Sequence, residues 1–226
     1  MSEILEQGLN SLKHSLLTMS SHAVNRVSQS LEAMKKRDDE LAHKVCQGDG
    51  ILDQFEMDID NHAHNLLALA PSQKSLRKIT TAMKISMDLE RVGDEATTIA
   101  RRVLELSLDP PLKLTLEIPV MAQNGLEMLD QALAAFAQED PKKAEDVIPQ
   151  DLEVDRLYKG TQKELSEYMA QNPTSIKPCL NLLVIAKSLE RIADHAKNVA
   201  ESVVFMCQAR DIRHNNQEYP LVASQP

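Results

Sequence analysis

Residues 89–94 read LERVGD, and residues 189–194 read LERIAD. The match extends on both sides: between 83–103 and 183–203, Ile85, Leu89, Glu90, Arg91, Asp94, Ala96, Ala100 and Val103 each have an identical twin 100 positions later. Upstream the offset becomes 102, which relates Met19 to Met121, Asp38 to Asp140, Asp49 to Asp151, Asp53 to Asp155 and Pro71 to Pro173. Two residues are lost just after the second proline, where a helix start absorbs them. A fixed period over most of a chain marks a duplicated structural unit.

Each unit reads as three helices. Apolar residues at 5, 9, 12, 16, 19 and 23, then at 24, 27, 31 and 34, step by threes and fours, as an amphipathic helix requires. This helix is expected to end near Lys36. Asp38 caps a second helix from about 39 to 69, and Pro71 with Ser72 opens a third that reaches about Leu106. The stretch SLDPPLKLTLEIP (107–119) then interrupts helical continuation, because its prolines remove donors and restrict the residues before them. Afterwards the pattern restarts, with a helix from about 119 to 138 and a cap at Asp140 followed by Pro141. A helix to about 171 comes next, then a last one opened by Asn172 and Pro173. The expected fold is all-α: two tandem antiparallel three-helix bundles related by internal duplication. The first bundle spans 1–108, the second 113–210, and 211–226 form an aperiodic tail.

Composition agrees with helices. Among the 226 residues there is no Trp, with 3 Phe, 3 Tyr and 6 Gly, so strand formers are scarce. A net charge of −9 argues against nucleic acid, whose binding rests on an excess of Lys and Arg. Cys46, Cys179 and Cys207 form no CxxC pair and are odd in number, which suits reduced thiols in cytosol. The start MSEILEQGLN lacks a basic segment followed by an apolar one, and no window approaches the ~18 uncharged residues of a membrane span. A cytoplasmic protein, neither secreted nor inserted, is expected.

The acidic residues carry the chemistry. Glu90 and Asp94 are four apart, so a helix puts both carboxylates on one face, and Glu190 with Asp194 repeats this. The second helix of each unit supplies Asp49 with Asp53 and Asp151 with Asp155. On the third helix Ala82, Ile85, Leu89, Val92, Ala96, Ile99, Val103 and Leu106 form the core seam, with Ile185, Leu189, Ile192, Ala196, Val199, Val203 and Met206 as its repeat. Glu90 lies about 100° from that seam, so the carboxylates are expected to flank the core. Where two such pairs share a helix boundary, like charges repel and a cation relieves them. Carboxylate oxygens suit Mg²⁺, Ca²⁺ or Mn²⁺, and clusters of them also hold iron or zinc. A single pair is ordinarily a solvated helix face; four in matched positions favour a site.

Other residues invite plainer readings. Gly93 would let a backbone or ligand approach, with Ala193 as its small counterpart. Arg91 and Arg191 either hold an anion or pair with neighbours, such as Arg91 with Glu95 at i+4. His195 points away from Asp194, His62 and His64 face solvent, and Met83, Met87, Met121 and Met128 fill the core. A di-iron enzyme would need two Glu-x-x-His motifs in a four-helix core, and Glu40 with His43 is the one such spacing. No GxxxxGKS/T, GxSxG or HExxH motif occurs, so no catalytic residues are assigned.

LERVGDEATTIA and LERIADHAKNVA, each preceded by a proline-started helix and by an acidic helix (GDGILDQFEMDID and PQDLEVDRLY), resemble the two repeats of the PhoU family of bacterial phosphate regulators. The segment QARDIRH resembles the end of the second repeat, so the likeness covers nearly the whole chain. It implies metal bound through E(D)xxxD motifs, here Asp49, Asp53, Glu90, Asp94, Asp151, Asp155, Glu190 and Asp194. Iron is the first choice, with zinc, manganese or magnesium as alternatives. The resemblance further implies a non-enzymatic adaptor between a high-affinity phosphate ABC transporter and a sensor histidine kinase, keeping the phosphate-starvation response off when phosphate is plentiful. Attachment to the membrane is then peripheral, through protein contacts, and a homodimer is the expected assembly. A regulator of a different transporter and a metal-dependent phosphoester hydrolase are the competing functions. The sequence departs from the family pattern at Ser75, where Asp before Leu-Arg is usual, and at Ala193, where Gly is usual.

Overall fold

In the computed structural model residues 3–48 and 50–213 are described; Asp49 and most of the expected tail, 214–226, lie outside the described residues. Eight α-helices make up the fold among them: α1 (Glu3–Lys36), α2 (Asp39–Gln47), α3 (Gly50–Leu67), α4 (Gln73–Ser107), α5 (Ile118–Gln138), α6 (Pro141–Val147), α7 (Asp151–Gln171) and α8 (Ile176–Gln208). Two 3-10 turns, Ile148–Gln150 and Pro173–Ser175, precede α7 and α8.

The caps read from the sequence form at three helix starts, but Asn172 makes no capping bond, its side chain donates to the Tyr168 carbonyl, and α8 begins only at Ile176. Asp38 accepts from the Leu41 N–H, Ser72 from the Ser75 N–H, and Asp140 from the N–H groups of Lys142 and Lys143. Each satisfies donors that a helix start leaves open. The expected single helix over 39–69 is instead two, α2 and α3, and its twin is divided into α6 and α7. Gly48 closes α2 by donating to the Val45 carbonyl, and Pro149, which has no N–H to continue a helix, sits in the turn before α7. Apolar periodicity runs on through both breaks, so spacing alone does not reveal them. The consequence is local and electrostatic. Asp53 now lies in the first turn of α3, and Asp151 in the first turn of α7, where the helix dipole favours negative charge.

α4 and α8 are the two long central helices and pack along one another. α1, α2 and α3 pack against α4, while α5, α6 and α7 pack against α8 in the same order, and α1 also touches α5. One continuous apolar core results. Every seam residue expected on α4 and α8 is buried except Leu106, which is half-buried. Met121 and Met128 are buried filler as expected, but Met87 is 55% exposed, because it lies off the α4 seam. No helix among the described residues is long and apolar enough to cross a membrane.

Two further features show how the duplicated units were fitted together. Arg37 and Glu139, 102 apart, both take the left-handed conformation that ends a helix, at φ 53 and 52. Arg37 donates to the carbonyls of Leu106 and Asp109 at the end of α4, whereas Glu139 binds Lys78 of α4 at 2.7 Å and tethers α5 across the junction. The space at Gly93 is used by a side chain: an added Cβ would stand 2.2 Å from Leu52 Cδ1 of α3. At the matching positions stand Ala193 and Val154, both fully buried. A methyl gained on the long helix is thus balanced by a smaller residue on its neighbour.

That balance is testable. Gly93→Ala gains helix propensity, but overpacking against Leu52 costs about 1–3 kcal/mol. Urea unfolding should therefore show Gly93→Ala less stable than wild type by about 1 kcal/mol. Adding Leu52→Val, the combination of the second unit, should recover most of the loss. Equal destabilisation with and without Leu52→Val would contradict the packing described.

Candidate functional site

The helix breaks and the seam together fix where the acidic residues stand. In the first unit Glu90 and Asp94 on α4 face Asp53 and Glu56 on α3. Burial pushes the Glu90 carboxyl above its ordinary value, and Asp94, Glu56 and Asp53 reinforce the shift. Glu56 is raised in the same way, by burial and then by Asp60, with Asp53 and Asp94 adding to it. One residue, Arg91, opposes both shifts. Its guanidinium reaches Glu90 at 3.2 Å and Asp94 at 3.3 Å, and not Glu95 as the sequence spacing suggested.

Three of the carboxylates expected in the first unit, Asp53, Glu90 and Asp94, are therefore brought together, and Asp49 lies outside the described residues. Sequence pairing missed Glu56 and Asp60. They form a further i, i+4 pair on α3 which the second unit lacks, so a search for duplicated acids passes over them. Beneath the cluster Arg26 of α1, almost wholly buried, donates through Nη2 to Thr97 Oγ1 at 2.6 Å.

In the second unit Asp151, Asp155, Glu190 and Asp194 also converge. Asp194 is raised by burial, then by Glu190 and Asp151, with Asp155 contributing and Lys197 opposing. The expectation that all the carboxylates flank the core fails at Asp151, which is 3% exposed. It sits on the inner side of α7 because the break at Pro149 starts that helix against α8. Lys197 compensates it, donating to Asp151 Oδ2 at 2.7 Å, while Oδ1 has no hydrogen-bond partner. Lys187 donates to Glu190 at 2.5 Å, with its ammonium 5.3 Å from the centre of the Tyr158 ring.

Between α4 and α8 lies a polar cleft of about 770 Å³ onto which Asp94 and Asp194 both open. Its charged groups cross-link the two units. Arg191 donates to Glu95 at 3.0 Å, and His195 Nδ1 and Asn198 both contact Asp88 Oδ1. His195 is thereby turned from Asp194, as its sequence position suggested. Among the described residues no group of three or more His, Cys, Asp or Glu side chains is arranged so that it could hold a metal ion as it stands.

Comparison with known proteins follows the same division. The PhoU domain family model matches residues 16–103 and again 118–203, so its start recurs after 102 residues and its end after 100. The chain belongs to the PhoU family. A PhoU homolog of Zymomonas mobilis, described as a phosphate-specific transport system accessory protein, is 35% identical over 97% of this chain and 93% of its own length. One from Xylella fastidiosa, described in the same words, is 33% identical over 88% and 82%. The crystal structure of PhoU from Pseudomonas aeruginosa superposes with a TM-score of 0.88 at 34% identity, covering 91% of this chain and 99% of that one. PhoU from Streptococcus pneumoniae, a phosphate transport system regulatory protein, gives 0.85 at 29% identity, covering 92% and 99%. The all-α PhoU fold expected from the repeated phrase is thus the fold found.

The raised carboxyls give a pH dependence with a defined sign. A carboxyl whose folded pKa is raised contributes stability below its unfolded value, and this is lost as pH rises through the folded value. In chelator-treated protein, Glu90→Gln should therefore melt above wild type at pH 7. The gap should close as pH falls through 4.5, the ordinary value of a Glu carboxyl. A Glu90→Gln variant less stable than wild type at pH 7 would show that Glu90 is held by compensating partners instead.

Proposed function

We propose that this chain is a non-enzymatic accessory protein of a phosphate-specific transport system. It acts as a cytoplasmic adaptor that links the phosphate ABC transporter to a sensor histidine kinase and holds the starvation response off while phosphate is plentiful. The observation that carries this reading is that both units, with the E-R-x-x-D phrase in each, match PhoU proteins over most of the chain. The cleft between α4 and α8 is the junction of the two units. Its imidazole is engaged by Asp88 and Arg191 is engaged by Glu95, so these groups hold the units together. With a net charge of −9, recruitment to the membrane rests on protein contacts and not on anionic lipid.

The first acidic cluster suits a bound cation. Its donors are carboxylate oxygens, which favour hard ions such as Mg²⁺, Mn²⁺ or iron, and burial, reinforced by the neighbouring carboxylates, already raises Glu56 and Glu90. Asp53, Glu56, Glu90 and Asp94 would hold the ion, with Asp49 beside them in the sequence. A bound cation would neutralise the repulsion and fix the α3–α4 edge as a docking surface.

Two experiments test this. Tagged protein recovered from membranes of phosphate-replete and phosphate-starved cells should bring down the transporter ATPase and the histidine kinase, in yields that change with phosphate. Recovery of neither under both conditions would sink the adaptor reading. Separately, Glu90→Gln with Asp94→Asn should weaken Mn²⁺ binding about tenfold or more, since two donors lose their charge. Unchanged affinity by calorimetry would remove the metal from the first cluster and leave the adaptor role standing.

A further inference from the structure

The two carboxylate clusters occupy equivalent places in a duplicated fold, yet the residues around them differ in charge. Glu56 and Asp60 of the first unit correspond to Tyr158 and Gln162 of the second, and Met87 and Thr97 correspond to Lys187 and Lys197. The second cluster therefore has fewer acids and gains ammonium groups. Arg26 corresponds to Met128 and Thr97 to Lys197, so the first unit buries an arginine of α1 against Thr97 where the second sets Lys197 of α8 on Asp151. The outer balance is where the units part.

On the outer side Tyr158 replaces an acid with an aromatic face. Its hydroxyl accepts from Gln162 at 2.9 Å, which fixes the ring, and Lys187 lies over that ring with its ammonium at Glu190. A cation over an aromatic face and against a carboxylate is held from two sides. In the first unit the corresponding position carries exposed Met87, and Arg91 faces Glu90, Asp94, Glu56 and Asp53 together. Arg191, the twin of Arg91, leaves its own cluster and reaches Glu95 in the other unit. Lys187 takes its place.

We propose that Lys187, seated on Tyr158, and Lys197 are built-in counter-ions that fill the second cluster in place of an external cation, so that metal binding in this chain is confined to the first unit. A tethered ammonium needs no free ion and loses little entropy on binding, so a divalent cation must displace it to enter. The second unit then stays folded without metal, and metal supply reaches the protein through one surface. The proposal rests on the reading of the first cluster as a cation site only for what the first unit does. The closure of the second cluster stands on its own residues.

The test converts the second cluster toward the first. Tyr158→Glu with Lys187→Met restores an acid and removes the outer ammonium, while Lys197 keeps Asp151 paired so that the fold persists. Mn²⁺ titration, followed by calorimetry and by melting temperature, should show about one more Mn²⁺ per chain than wild type, and a melting temperature that now rises with Mn²⁺. In the wild-type background Glu190→Gln with Asp194→Asn should leave Mn²⁺ stoichiometry unchanged. A loss of bound Mn²⁺ in that variant, or no gain in the converted one, would overturn the proposal. Wild-type protein that binds no Mn²⁺ at all would refute the first-cluster reading alone, since the gain in the converted variant is still decisive for the second.

Discussion

The packing of α4 along α8 is the contact on which the rest of the molecule depends. Both helices carry an aliphatic seam with a step of three and four, and both bury it completely at Leu89 and Leu189. A seam buried that way fixes the rotation of each helix about its axis. Glu90 and Glu190 then have no choice but to stand one residue aside, at the boundary with α3 or α7. The places of the acidic residues thus follow from core packing, because the core cannot be turned without losing its burial.

That arrangement places carboxylates close together at partly buried positions, which is unfavourable unless something answers them. The molecule supplies different answers in its two halves. In one half Arg26 of α1 lies buried against Thr97, and in the other Lys197 of α8 reaches across to Asp151. On the outer side Arg91 spans Glu90 and Asp94, while Lys187 settles on Tyr158 beside Glu190. Duplication copied the backbone and the seam; the charges were then balanced separately. Freed from its own cluster, Arg191 binds Glu95 and helps lock the halves together.

Much of this was legible in the residues. The offsets of 102 and 100, the caps at Asp38, Ser72 and Asp140, and the α4 and α8 seams needed only periodicity and capping chemistry, which act within a few residues. The breaks at Gly48 and Pro149 were harder to see, because apolar spacing continues through them and a middle helix of full length satisfied the pattern. Glu56 and Asp60 escaped notice because they have no acidic twin. Arg91 was matched with Glu95 by the i+4 rule, but a guanidinium on a half-exposed face chooses among all carboxylates within reach, and Asp94 and Glu90 were nearer.

The sequence by itself determined the helical class, the duplication, the seam and the family, since each follows from local spacing or from a phrase that repeats. Only the tertiary structure decided which cations meet which carboxylates. Lys197 lies 46 positions from Asp151, and Arg191 lies 96 from Glu95. Charge pairing across such distances is set by how helices pack, and packing is what the repeated LER phrase, read along the chain, leaves open.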